Sequence, residues 1–306
     1  MARSLRFIPD GGSLVHITCR TMQGRYLFCP SPELNEIVVG VLGRAQDLHP
    51  VRICQVAVLS NHLHLLLDVD DACLLADFME HFNGNLAKEV NRLTGWEGPV
   101  FARRYTSIIV SNEEKEQVAI FRYIAAQGVK EGLVEKVRDW PGVHSLPAIL
   151  DGEPLKGYWF SRTQEYAARR RRESFGRYDY ATEVTVHLAP LPCWKGLSPE
   201  QYRRRVAALE TSIEEEAARE RETTGEPVLG AEAVVSRDPH HRPEKMDRSP
   251  APRFHTATEA AWRLLYDAYS EFLAAFRKAA AKLKAGDRAA PFPRGSFPPG
   301  LPFVSA

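Results

Sequence analysis

The stretch VRICQVAVLSNHLHLLLDV, residues 51–69, decides how the fold is read. Val51 to Leu59 is a short apolar run rich in β-branched residues, which predicts a strand. Ser60-Asn61 breaks it, and His62 to Val69 resumes as another strand, so the pair reads as a hairpin. Alternate residues of a strand share a face. Leu63, Leu65 and Leu67 therefore point into a core, and His62 and His64 point together to the other side. Two imidazoles side by side at one strand start form a two-point platform for a metal ion. An H-x-H pair is equally readable as two histidines satisfied by hydrogen bonds on a half-exposed strand.

Outward from this hairpin the elements follow in a regular order. Pro9-Asp10-Gly11-Gly12 signals a turn, and SLVHITCR, residues 13–20, predicts the first strand. Pro30 to Leu48 carries Leu34, Ile37, Val38, Val41 and Leu42 at helical spacing. Leu74 to Leu93 predicts a second helix and Arg104 to Val110 a fourth strand. Ser111 or Asn112 is expected to cap a third helix, with Glu113 and Glu114 in its first turn where the helix dipole favours negative charge. Strand, helix, strand, strand, helix, strand is the order of an α+β, ferredoxin-like antiparallel sheet with packed helices, here with a further helix added. It closes near residue 150, so residues 1–150 are expected to form one domain.

The added helix carries the second chemical signal, Arg122-Tyr123-Ile124-Ala125-Ala126-Gln127. Val118, Phe121, Ile124 and Ala125 make its core stripe. Tyr123 and Gln127, four residues apart, lie together beside that stripe. A tyrosine can be a nucleophile and a glutamine amide oxygen a metal ligand. Alone, the pair is ordinary helix-border chemistry.

Residues 151–306 differ in character and are expected to be an accessory, mostly helical and irregular region. Arg169 to Arg172 is a four-arginine run, Pro199 to Thr223 a charged helix, Glu226 to Arg253 a loop or linker, and Thr256 to Ala285 an amphipathic helix. The proline-punctuated tail cannot be regular helix or central strand. Its phenylalanines Phe292, Phe297 and Phe303 suggest a docked, extended strap.

Composition sets bounds. The 306 residues carry a formal net charge of +1 and are 44% hydrophobic and 26% charged, so any nucleic-acid surface must arise from local clustering of basic residues. The five cysteines form no C-x-x-C pair and read as free, mostly buried thiols. No uncharged apolar run reaches membrane-spanning length, and the opening residues lack the apolar stretch of a signal peptide. A soluble, cytoplasmic protein with no membrane partner is expected.

Taken together, the two signals resemble the single-tyrosine HUH transposases, above all the REP-associated tyrosine transposases. That family carries a histidine–hydrophobic–histidine motif after a short turn with Asn or Asp, which His62-Leu63-His64 after Ser60-Asn61 resembles. Its nucleophile lies on a later helix in a Tyr-Ile-x-x-Asn context with a Gly-Leu-Val ending. Tyr123-Ile124-Ala125-Ala126-Gln127 and Gly132-Leu133-Val134 resemble those parts. The V-H-I-T-C-R strand and Phe101-Ala102-Arg103-Arg104-Tyr105 are also similar, and the likeness spans about residues 10–150. REP-associated members commonly have Asn-Pro where this chain has Gln127-Gly128, and glutamine there is closer to the insertion-sequence branch.

The resemblance implies a DNA strand transferase that cuts and rejoins single-stranded, hairpin-containing DNA. Tyr123 would be its nucleophile, and His62, His64 and Gln127 would hold Mg2+ or Mn2+. Ligand type alone would favour zinc, nickel or iron for two imidazoles. The implied product is a 5′-phosphotyrosine link with a free 3′-OH. An unperturbed phenol, with a pKa near ~10, is protonated at neutral pH and must be activated. Candidate DNA contacts are Arg20, Arg103, Arg104, Tyr105 and Arg169, Arg170, Arg171 and Arg172, with Arg25 beside the first strand's exit. Monomer and homodimer both occur in the family. Two rivals stand beside this reading. One is a domesticated DNA-binding protein without catalysis. The other is a metal-independent two-histidine RNA phosphoesterase, for which His16-Ile17-Thr18 supplies one H-x-T but H-L-H replaces the second. Tyr178 and Tyr180 are lesser nucleophile candidates, and His240-His241 reads as a loop pair without function.

Overall fold

In the computed structural model, residues 6–244 and 251–300 are described. The sheet contains β1 (Ser13–Arg20), β2 (Arg52–Leu59), β3 (His62–Val69), β4 (Thr106–Val110) and the two-residue β7 (Phe254–His255). Their spatial order is β2-β3-β1-β4-β7. The first four strands are antiparallel neighbours in the ferredoxin-like order, as expected, and β7 adds to β4 in parallel.

The helices begin where the sequence supplies caps. Ser31 accepts from the Leu34 amide to start α1 (Pro32–Leu48), with proline in the first turn, where its missing N–H costs nothing. Asp71 accepts from the Cys73 and Leu74 amides to start α2 (Ala72–Thr94). The third helix, α3 (Glu114–Ala125), departs from expectation: neither Ser111 nor Asn112 caps it. Glu113 takes the cap position, and the Ser111 hydroxyl donates instead to its carboxylate, which also accepts from the Ala257 amide. The serine hydroxyl that could have capped the helix is taken by Glu113, which is itself held by the long-range contact from Ala257.

The pleat of β3 sorts two cores. Leu63, Leu65 and Leu67 are fully buried with Val15 and Ile17 against α1 and α2. Leu66 faces the other way, into a second cluster with Phe121, Ile124 and Ala125 of α3. α3 and the C-terminal α6 (Pro199–Thr224) thus cover one face, and α1 and α2 cover the other.

The C-terminal half holds more strand than its sequence suggests. After α4 (Ser145–Asp151), β5 (Leu155–Phe160) and β6 (Ala181–Val186) form an antiparallel pair around α5 (Arg162–Arg170). This hairpin lies on α1. A Cβ at Gly40 would sit 1.9 Å from the Tyr158 carbonyl oxygen, and one at Gly157 2.6 Å from the Glu36 carbonyl oxygen, so only glycines permit so close a backbone approach. Within the expected linker lie α7 (Ala231–Val235) and, just beyond it, β7. The last helix is α8 (Glu259–Lys284), and residues 285–300 follow as neither helix nor strand. Phe292 packs on Phe276 and the Arg6 guanidinium lies over Phe297, whereas Phe303 falls outside the described residues. Of the thiols, Cys19 and Cys54 are buried, Cys29 and Cys193 partly so, and Cys73 is exposed, which corrects the expectation that most are buried. Among the described residues no helix is long and apolar enough to cross a membrane.

Candidate functional site

The two histidines of β3 emerge on the α3 side of the sheet. Their rings meet edge to face, with centroids 4.9 Å apart. The His62 Nδ1 lies 2.7 Å from the Asn61 side-chain oxygen, so Nδ1 carries the proton and donates, and the lone pair stays on Nε2. The His64 Nδ1 lies 2.9 Å from His16 Nε2 and 3.4 Å from the Thr18 hydroxyl. His64 Nε2 is buried and has no hydrogen-bond partner.

Tyr123 stands over this pair. Its ring is edge-on to His64 at 5.7 Å and to His16 at 6.0 Å, and it remains 41% exposed. The Gln127 amide donates to the Tyr123 carbonyl at 3.1 Å. The same side chain is within hydrogen-bonding reach of both His62 and the Tyr123 phenol. Helix α3 ends at Ala125, just before Gln127, and Gly128 takes a positive φ of +88°. Proline's ring fixes φ near −65°, so the Asn-Pro of the REP-associated pattern cannot replace Gln127-Gly128 in this backbone.

The electrostatics follow from burial. Desolvation lowers His62 to about 4, helped by the charge of Arg20, and lowers His64 well below the ordinary histidine range. His16 falls to about 3, through burial and then the neighbouring His255, and His255 falls to about 4 through burial alone. All four imidazoles are neutral at physiological pH, the form that ligates metals. Burial and Glu131 raise the Tyr123 phenol above its ordinary value, so it keeps its proton at neutral pH.

This donor set fits a divalent cation. His64 Nε2 is a buried ring nitrogen without a partner, His62 Nε2 is not engaged by Asn61, and the third neighbour, Gln127, is a neutral amide. Among the described residues no three His, Cys, Asp or Glu side chains gather as a metal cluster, so a third ligand from this chain would be the glutamine.

The other sequence candidates are dispersed. The charge of Arg20 acts on His62, and Arg103 and Arg104 are exposed at the approach to β4. Tyr105 is only 7% exposed, with Arg6 over its ring, so it offers no open stacking face. Arg25 is bound to Gln23, to the His240 carbonyl and over Trp96. Arg169 to Arg172 span the C-terminal end of α5 and the two residues after it, and α5 is tied to α2 by Arg162–Glu89 and by Arg92–Glu165 at 2.8 Å, on the sheet face away from Tyr123. The Tyr178 hydroxyl donates to Glu36 of α1 on that same far face, and Tyr180 packs on Phe175. The His240 ring bonds the Thr94 carbonyl and His241 stacks on Tyr26. Sequence reasoning passed over His255 altogether and weighed His16 only for another chemistry. The even spacing of His16 and Thr18 on their strand was the available signal, but the register that sets them beside His64 is a property of the folded sheet.

Residues 14–127 match the transposase family described as IS200-like. The match covers the first four strands, α1 to α3, both histidines of β3, Tyr123 and Gln127, and it bears out the resemblance read from the motifs. No curated protein sequence matches the chain. Among solved structures, the chain is similar to a REP-associated tyrosine transposase bound to a REP hairpin, with 19% identity over 49% of this chain and 86% of that one, at a TM-score of 0.39. It is also similar to a candidate transposase from Deinococcus radiodurans, with 16% identity over 42% of this chain and 98% of that one, at a TM-score of 0.29.

Proposed function

We propose that this IS200-like chain is a metal-dependent strand transferase that cuts and rejoins single-stranded DNA through a covalent phosphotyrosine. The observation that carries the reading is the convergence at one point of Tyr123, the unpartnered His64 Nε2, His62 and Gln127. The Tyr123 oxygen attacks phosphorus, the bond from phosphorus to the 3′ oxygen breaks, and a 5′-phosphotyrosine forms. The phenolic proton ends on the departing 3′-OH. The new ester keeps the energy of the old one, so religation by the reverse attack needs no nucleotide cofactor. His62 and His64, with Gln127 as third ligand, would hold Mg2+ or Mn2+. When bound, the cation supplies positive charge that polarises the phosphate and steadies the leaving oxygen. Gln127 also links the ligand pair to the nucleophile, since its side chain reaches both His62 and the phenol. Hairpin-containing single strands are the proposed partner.

The two-histidine phosphoesterase reading loses support, because both ring nitrogens of His16 are engaged, by His64 and by His255. The deciding experiment incubates the protein with single-stranded hairpin DNA from the flanks of its gene and Mg2+ or Mn2+. A denaturation-resistant adduct is expected, absent in EDTA and absent in Tyr123→Phe. Adduct formation by Tyr123→Phe would overturn the nucleophile assignment, and undiminished cleavage in EDTA the metal dependence. A domesticated binder without catalysis would hold the hairpin and form no adduct.

A further inference from the structure

Behind His64 the rings continue. His16 Nδ1 lies 3.2 Å from His255 Nε2, and the two ring centroids are 5.4 Å apart. His255 Nδ1 in turn lies 3.9 Å from the Glu116 carboxylate, beyond a direct hydrogen bond but within the range of charge–dipole attraction or one bridging water. A line of His64, His16, His255 and Glu116 therefore runs across the sheet from β3 through β1 to β7 and ends on α3.

We propose that His16, His255 and Glu116 act as positioning residues that fix the proton of His64 on Nδ1, so that its Nε2 lone pair faces the site. The proposal rests on the reading of His64 as a metal ligand.

Each neutral imidazole has one N–H and one lone pair. Two ring nitrogens at hydrogen-bond distance must share a single proton, so the three rings have only two consistent arrangements. In the first, all protons point away from the site: His64 Nδ1–H donates to His16 Nε2, His16 Nδ1–H donates to His255 Nε2, and His255 Nδ1–H faces Glu116. In the second, all three are reversed. The reversed line sets the bare lone pair of His255 Nδ1 towards a carboxylate. It also leaves a buried N–H at His64 Nε2, which no cation can use, where the first arrangement leaves a lone pair that one can. The first arrangement wins on both counts. Outer partners that fix the tautomer of a ligating histidine commonly affect metal affinity about 10–100-fold.

The line also gives the C-terminal region a place in the site. His255 is 239 residues from His16 in sequence, and β7 brings it in by pairing with β4, where Val110 lies opposite His255.

The test has a readout independent of activity. Ring nitrogen correlation spectra of the metal-free, full-length protein with 15N-labelled histidine should show His64 protonated on Nδ1. In His16→Phe, which removes the acceptor, His64 should become a tautomer mixture, and Mn2+ affinity followed by electron paramagnetic resonance should fall about 10–100-fold. His16→Gln restores an acceptor and should recover part of both. His255→Phe should shift the His16 signals and weaken Mn2+ binding less than His16→Phe. A wild-type His64 protonated on Nε2 would overturn the proposal, as would His16→Phe with an unchanged tautomer and unchanged affinity. If His16→Phe does not fold, the wild-type spectrum and His16→Gln still decide. A wild-type protein with the expected tautomer but no Mn2+ binding would sink the metal reading and leave the tautomer line standing.

Discussion

Strand β3 supplies two surfaces of opposite character within eight residues. Leu63, Leu65 and Leu67 lie in a dry core between the sheet and α1 and α2. His62 and His64 stand on the other face beside Tyr123. The period of two separates the residues that hold the sheet from those proposed to carry the chemistry, so one strand can be changed on either face with different consequences.

The sharpest way to break this comparison is to truncate one residue on each face. Leu65→Ala should destabilise the protein by about 2–5 kcal/mol in urea unfolding, through lost apolar burial and a residual cavity. His62→Ala, at a partly exposed ring bonded to Asn61 and reached by Gln127, should destabilise by less than about 1 kcal/mol yet abolish adduct formation. Equal destabilisation by the two would show that the histidine face is structural.

A second contrast concerns two glycines on the α1–α2 face. At Gly40→Ala the new Cβ meets the Tyr158 backbone, which cannot swing aside, so the β5–β6 hairpin must lift from α1. A loss of about 1–3 kcal/mol is expected, the scale of overpacking. Gly84 lies exposed within α2, with nothing within 4 Å of its virtual Cβ. Gly84→Ala should stabilise by up to about 1 kcal/mol. Thermal unfolding of the two variants should move in opposite directions, and parallel shifts would remove the close-approach argument.

A third test uses pH. Burial alone would raise the Asp68 carboxyl, but hydrogen bonds from Arg52 at 2.7 Å and Lys195 at 2.8 Å outweigh it and hold the pKa below the ordinary aspartate value. The folded state therefore binds the proton less well than the unfolded chain. The stability contributed is complete above the unfolded value, about 4, and is lost as pH falls through the folded one. Asp68→Asn should cost about 1–2 kcal/mol at neutral pH, since both cationic partners are partly exposed. Its stability curve should converge with wild type in acid. A constant gap down to pH 2 would assign the loss to packing.

What was legible in the sequence follows the same division. Periodicity and punctuation placed β1 and β3 at their observed bounds and the other early elements within a few residues, because each is specified by its own neighbours. His62, His64, Tyr123 and Gln127 could be paired before their distances were known, because two short motifs on two elements suffice. The α3 cap was misread because Glu113 is held by Ala257, a contact no local window contains. β7 is two residues long and exists only against β4, so neither propensity nor alternation could mark it. The β5–β6 hairpin hid within a charged, polar stretch because its packing surface is the backbone of α1 around Gly40.

The smallest effect is expected from the feature most conspicuous in the sequence, the run Arg169 to Arg172. Read alone it suggests phosphate contacts. In the fold, Arg171 pairs with Glu173 at 2.7 Å, Arg169 lies over Phe175, and the run ends a helix anchored to α2 on the face away from Tyr123. A single strand seated at Tyr123 would have to turn around the edge of the sheet to reach it. Each phosphate contact on a single strand contributes a slope of about −0.7 to the dependence of log affinity on log salt. Replacing all four arginines with alanine should therefore leave the slope for a short hairpin within one contact of wild type, and leave adduct formation at saturating DNA unchanged. Arg103→Ala and Arg104→Ala, at the exposed approach to β4, should each flatten the slope by about 0.7 if the strand passes there. A quadruple variant that flattens the slope by two contacts or more would show that DNA wraps both faces and that the division between them is one of chemistry alone.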